Sequence, residues 1–338
     1  MQKDMNVKTE SRELGWLADE IKRIIKLCKS TVGVGIVHIE SGLSWYNNRE
    51  VSFPMASTYK IPIAMKLLKD VESGVLVMED MISIKQYDQH PGSGILSELI
   101  DNPGLSLSIA NLFELMMTIS DNTATDIILS LVGGGGAVTD YLKSLEITGM
   151  TVDRSTLEML SDFAGMKTIN ATDRVKTRIF DEYYEKLSDQ ERKIAEMEFL
   201  NIHKDVTTPE AMSRLLGKIM IEGVLNRTHI EILLDAMRKN KYGDDRIKGF
   251  LPPHVIVAHK TGTLGTITND AGILTLPNDL GHIALVVLIK KSDDSNAERE
   301  ATIAHIARAT YDYFVFFQSK YPGNKNLLND KFTMGEIK

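Results

Sequence analysis

The hydrophobic pattern of the chain changes period twice. From Leu14 to Lys29, the residues Leu17, Ile21, Ile24, Ile25 and Cys28 recur at helical spacing between charged positions, which predicts an amphipathic helix. Val32 to Ile39 is rich in β-branched residues, Gly42 offers a turn, and Leu43 to Tyr46 resumes an extended pattern, so this stretch predicts a hairpin. From about residue 57 the pattern turns helical, and from about 70 to 245 it stays helical or loop-like with Gly and Pro punctuation. Ile61 to Leu68, Leu105 to Ile119, Asn122 to Leu129 and Ala137 to Leu145 read as helices. Gly133-Gly134-Gly135-Gly136 reads as a flexible connection, because no Gly-Lys-Ser/Thr follows to make a phosphate loop. Residues 164 to 205 are strongly charged, with a helix near Ser188 to Phe199, and read as a surface insertion. Thr207-Thr208-Pro209-Glu210 opens a further helix with a threonine cap and a first-turn proline. Extended patterns return at Val255 to Thr263, Asp270 to Leu276 and His282 to Lys290, and Ala297 to Phe317 is a long apolar-striped helix.

This order predicts an α+β fold. The two ends of the chain build one five-stranded antiparallel sheet, the terminal helices flank it, and an all-helical lobe is inserted between strands 2 and 3. Residues 1–338 are then a single domain of two lobes. The α/β lobe covers about 14–56 and 250–318, and the helical lobe about 57–249, with the charged insertion at about 164–205.

Composition narrows the function classes. With 43% hydrophobic and 25% charged residues over 338 positions, the chain can bury a substantial core. A formal net charge of −7 argues against nucleic acid or an anionic membrane as partner. No apolar run approaches bilayer length, and Met1 to Glu13 lacks the apolar core of a signal peptide. Cys28 is the only cysteine; it excludes an internal disulfide and, lying on an apolar helix side, reads as a buried structural thiol. His254, His259 and His282 show no paired ligand spacing, so neither a metal nor another cofactor is expected.

Candidate chemistry gathers around Ser57-Thr58-Tyr59-Lys60. Alone, a serine and a lysine one helical turn apart occur about once by chance in a chain of this length. Here the pair opens an apolar helix, where free N–H groups favour negative charge, and Lys60 shares a face with Ser57. Ser120-Asp121-Asn122 falls at a joint between helices, and Lys260-Thr261-Gly262 lies on the first returning strand. A cleft between lobe and sheet would bring all three together for acyl transfer. A lysine can take the serine proton if burial and cationic neighbours such as Lys260 lower its pKa. Lys260 can also hold a substrate carboxylate, Ser120 can relay a proton to a leaving nitrogen, and Asn122 can bond a substrate amide. Gly262 lets a ligand lie against the strand, and the N–H groups of Ser57 and Thr263 would form an oxyanion hole.

These three motifs, in this order, resemble those of the penicillin-recognising serine enzymes, the serine β-lactamases and penicillin-binding proteins. Phe53-Pro54-Met55-Ala56, Pro91 to Leu96, Ser120 to Thr125, Ala258 to Thr263 and Thr268 to Ile273 look like class A β-lactamases, and the likeness covers roughly residues 15 to 318. The resemblance implies Ser57, Lys60, Ser120 and Lys260 as catalytic residues and Asn122, Thr261, Gly262 and Thr263 as substrate-binding ones. It implies a β-lactam or peptidoglycan-peptide substrate, a role in antibiotic resistance, a monomer, and a periplasmic or secreted location, with the cytoplasm as the alternative. In one loop the chain departs from the family. Class A enzymes carry a glutamate two residues after an arginine, which activates the water that frees the acyl-enzyme. Counting from Arg154, Thr156 stands there; by another register Glu158 and Asp162 serve. Glu158 is then either the deacylating base or a solvated loop carboxylate. The alternatives to a β-lactamase are a penicillin-binding or D-alanyl-D-alanine peptidase-like protein, another amide or ester hydrolase, and a pocket that binds without turnover.

Overall fold

The computed structural model describes residues 14–99, 104–166, 176–220 and 223–318. In chain order come α1 (Gly15–Ile25), β1 (Thr31–His38), β2 (Ser44–Asn47), a short turn of helix at Ala56–Tyr59 and α2 (Lys60–Glu72). Next are α3 (Ile109–Thr118), α4 (Asn122–Leu131), α5 (Gly134–Ser144), α6 (Thr156–Phe163), α7 (Lys176–Lys186), α8 (Asp189–Asn201), α9 (Pro209–Ile219) and α10 (Arg227–Arg238). The chain then adds β3 (Val257–Leu264), β4 (Ile267–Thr275), β5 (His282–Lys290) and α11 (Asn296–Gln318). The five strands form one sheet in the order β2-β1-β5-β4-β3, with every neighbouring pair antiparallel. This is the α+β arrangement that the pattern predicts.

Period-two alternation explains how a single sheet serves two cores. On β5, Ala284, Val286 and Leu288 pack with the helical lobe, where α9 adds Met212 and Leu215. Ile283, Leu285, Val287 and Ile289 face the other way, against Leu17, Ile21 and Ile24 of α1 and Ile303, Ile306 and Phe314 of α11. A strand buried on both faces loses alternation, which is why β5 reads as one apolar run.

Two features differ from the sequence reading. The glycine run is no connector: Gly133 sits at φ +93° and α5 begins at Gly134, so three of the four glycines are helical. Cys28 is half-buried rather than buried, with its Sγ 3.1 Å from Thr302 Oγ1, and burial raises its thiol pKa. Two short strand pairs are also present, Phe53–Pro54 with Val206–Thr207 and Met81–Ser83 with Ser106–Ser108. The first fixes the run-in to Ser57.

Candidate active site

Ser57 is partly buried in the turn Ala56–Tyr59, immediately before α2. Ala56 takes φ 46°, a left-handed conformation that a side chain resists, so the surroundings must impose it. They do so from two sides. Asn269 donates from Nδ2 to Pro54 O at 2.9 Å and Met55 O at 3.0 Å, while its Oδ1 accepts from Ile289 N. Met55 N donates to Asp205 O at 2.9 Å.

Lys60 is fully buried, and its ammonium nitrogen donates to Ser120 O (2.7 Å), Ser120 Oγ (3.0 Å) and Asn122 Oδ1 (2.9 Å). Lys260, equally buried, reaches the same Ser120 Oγ at 3.1 Å from the sheet side. Ser120 stands at φ 57° on the tight joint between α3 and α4. Asp121 holds that joint by accepting from Ala124 N, Ile95 N and Leu96 N. The sequence places Lys60 on the face of Ser57, within reach of its oxygen; in the fold the Lys60 amine is directed to Ser120 and Asn122. Asn122 spends one Nδ2 hydrogen on Pro91 O and keeps a second donor.

Burial, and then the charge of Lys260, hold the Lys60 amine well below the usual lysine range. Burial lowers Lys260 to about 7; Asp270 opposes this, and Arg246 adds to it. Burial thus lowers both amines that share Ser120 Oγ, and the charge of Lys260 adds to the lowering of Lys60.

β3 is the edge strand beside the turn. A Cβ added at Gly262 would stand 2.7 Å from Met55 O and 3.0 Å from Ser57 N, so only glycine permits this approach. Thr261 is buried and its carbonyl accepts from Lys260 at 3.2 Å, whereas Thr263 is exposed at the cleft. Sequence reasoning missed Arg246. Its buried guanidinium donates to Thr263 Oγ1 (2.6 Å), Asn269 O (3.0 Å) and Glu300 Oε1 (3.1 Å), bringing a second cation to the end of β3. No motif flags a lone arginine in a polar loop. His259 and His282 face carboxylates, Asp270 at 2.9 Å and Glu40 at 2.6 Å, while His254 is exposed.

In the loop after Arg154 both carboxylates that the sequence offers are engaged. Glu158 is exposed, and its Oε2 accepts from Ser155 N at 2.8 Å and Ser155 Oγ at 3.1 Å, closing a capping box on its own helix α6. Both of these bonds tie the Glu158 carboxylate to the start of its own helix. Asp162 pairs with Arg154 Nη1 at 2.5 Å. Thr156 is the residue turned inward; its Oγ1 lies 2.5 Å from Tyr59 OH, and its N–H donates to Asp126 Oδ1 at 2.7 Å. The charged segment is bracketed by a buried pair, Arg154 Nε to Asp205 Oδ2 at 2.6 Å, and its helices pack through Phe163, Tyr184 and Phe199.

The sequence matches the Beta-lactamase enzyme family over residues 16–314. It is 27% identical to β-lactamase VEB-1 of Pseudomonas aeruginosa over 306 residues, 88% of this chain and 89% of that protein. It is also 27% identical to the extended-spectrum β-lactamase PER-1 of the same organism, over 88% of this chain and 87% of that protein. Among solved structures, a β-lactamase from Chitinophaga pinensis superposes with a TM-score of 0.73 at 27% identity, covering 88% of this chain and 98% of that one. The extended-spectrum β-lactamase TLA-1 gives 0.73 at 26% identity, over 89% and 98%.

Proposed function

The chain belongs to the β-lactamase enzyme family, and from that premise we propose that it opens β-lactam rings by acyl transfer to Ser57, in the manner of a class A enzyme. The observation that carries this reading is the convergence of two buried lysines on one serine hydroxyl beside the Ser57 turn. Neutral Lys60 accepts the Ser57 proton as Oγ attacks the lactam carbonyl. The N–H groups of Ser57 and Thr263 receive the developing oxyanion. The proton passes through Ser120 to the lactam nitrogen as the C–N bond breaks. Lys260, with Arg246 and Thr263 behind it, holds the substrate carboxylate, and the free Asn122 donor takes an amide carbonyl of the acyl side chain. Action outside the cytoplasm, as a monomer, belongs to the same proposal; among the described residues no helix is long and apolar enough to cross a membrane.

Intact-mass analysis after mixing with a penicillin tests the reading. One added penicillin per chain, mapped to the peptide containing Ser57, is expected; neither adduct nor ring opening with any penicillin or cephalosporin would overturn it.

The lysine pair also sets a pH profile for acylation. Activity rises with pH as Lys60 becomes neutral and falls as Lys260 loses its charge near about 7. Lys260→Arg retains a cation at all these pH values, so its alkaline limb is expected to vanish even if the rate drops. A limb that persists in this variant would assign the ionisation elsewhere.

A further inference from the structure

The histidine just before Lys260 sits in a site shaped to its ring. His259 and Asp270 are both fully buried, and His259 Nδ1 stands 2.9 Å from each carboxylate oxygen. Since a carboxylate accepts, Nδ1 is the donor; Nε2 is buried with no hydrogen-bond partner among the described residues, so Asp270 is what the imidazole holds. Two glycines make room for it. A Cβ at Gly272, paired with His259 across β3 and β4, would stand 2.6 Å from His259 Cβ. One at Gly243, where φ is +83°, would stand 2.4 Å from Thr261 Cγ2 and 3.4 Å from His259 Cε1.

Asp270 also joins β4 to the segment that carries Arg246. Its Oδ2 accepts at 3.2 Å from Ile247 N, the peptide N–H that follows Arg246, and Arg246 N itself closes a turn on Gly243 O at 3.0 Å. From this segment the Arg246 guanidinium reaches Thr263 Oγ1 and Asn269 O at the end of β3. Neighbours along a strand point to opposite faces, so the His259 ring lies on the other side of β3 from Lys260 and acts through Arg246 rather than on a ligand. The geometry points to His259 as a positioning residue: by holding the Asp270 carboxylate against Ile247 N, it fixes the segment that aims Arg246, and so sets the preference for anionic over neutral β-lactams. This inference rests on the acyl-transfer reading above.

Benzylpenicillin and its methyl ester, which lacks the carboxylate charge, test it. The ratio of their second-order acylation rate constants measures carboxylate recognition. In His259→Leu this ratio is expected to fall about tenfold, in line with the loss of one hydrogen bond to a charged group. His259→Asn, whose side-chain amide can donate from the place of Nδ1, is expected to keep the wild-type ratio. Both variants retain the Asp270 charge, which favours the protonated form of Lys260, so the ratio reports on position. Asp270→Asn has nearly the same volume but a single acceptor oxygen; it is expected to lower the ratio too, and it serves if His259→Leu does not fold. Arg246→Ala also lowers the ratio, and adding His259→Leu to it is expected to lower it no further. General loss of structure would slow both probes together. An unchanged ratio in a folded, acylating His259→Leu or Asp270→Asn protein would overturn the inference, as would losses that multiply in the double variant. Failure of benzylpenicillin to label the wild type would instead overturn the acyl-transfer reading, and this inference with it.

Discussion

With excess chromogenic cephalosporin, the protein is expected to open about one ring per chain in a burst and then turn over about 100-fold or more slowly, since general-base assistance is worth about 10²–10⁴. The reason lies in how the carboxylates around the cleft are engaged. Glu158 caps α6, Asp162 is paired with Arg154, and Asp126 accepts from Thr156 N and Leu157 N. Asp121 accepts three backbone N–H groups. The residue that the loop turns toward the Ser57 helix is Thr156, whose hydroxyl meets Tyr59 and cannot remove a proton from water at neutral pH. On the proposed reading Lys60 is the base for acylation, whereas each of the carboxylates named above is engaged by another partner. Ser57→Ala is expected to abolish both phases. Glu158→Gln should leave both unchanged, and Thr156→Glu, which places a carboxylate where class A enzymes resemble one another, should shorten the lifetime of the adduct. Linear progress curves with no burst and no accumulating adduct would show that water is activated efficiently after all.

The contrast between the two steps matches what the sequence could show. Ser57, Lys60, Ser120 and Lys260 were legible because each belongs to a run of three or four residues whose local geometry is fixed by a helix start, a tight joint or a strand. The sheet was legible because β-branched and apolar residues cluster in its strands, with hairpin-length turns between β3, β4 and β5. The role of Glu158 was open, although Ser155-Thr156-Leu157-Glu158 carries the Ser-x-x-Glu signature of a capping box, the pattern that also starts α8 at Ser188 and Glu191. That local signal outranks the four-residue interval from Glu158 to Asp162. Arg246 and Asp205 left no local trace. Their partners lie 17 and 51 positions away, at Thr263 and Arg154, so only the closed fold brings them together.

Asp205→Ala is expected to cost about 3–5 kcal/mol of stability, because it leaves the Arg154 guanidinium without its buried counter-charge. Both groups are inaccessible, at 4% exposure for Arg154 and 1% for Asp205, and the carboxylate also accepts from Asp153 N and Arg154 N. Asp162 is less buried and holds only the other face of the guanidinium, so it cannot replace those bonds. The damage should reach Ser57, because Asp205 O anchors Met55 N and the following Val206–Thr207 pairs with Phe53–Pro54. Urea unfolding measures the first effect, and the acylation rate at a urea-free temperature where the variant is folded measures the second. The Arg154→Ala, Asp205→Ala double variant separates the buried pair from mere loss of packing. With neither charge left unpaired, it should lose less stability than the two single variants summed, by about 1–3 kcal/mol. Additive losses would mean that the pair is not coupled. An Asp205→Ala protein that acylates at the wild-type rate would mean that closing the loop at Arg154 and Asp205 does not hold Ser57 in place.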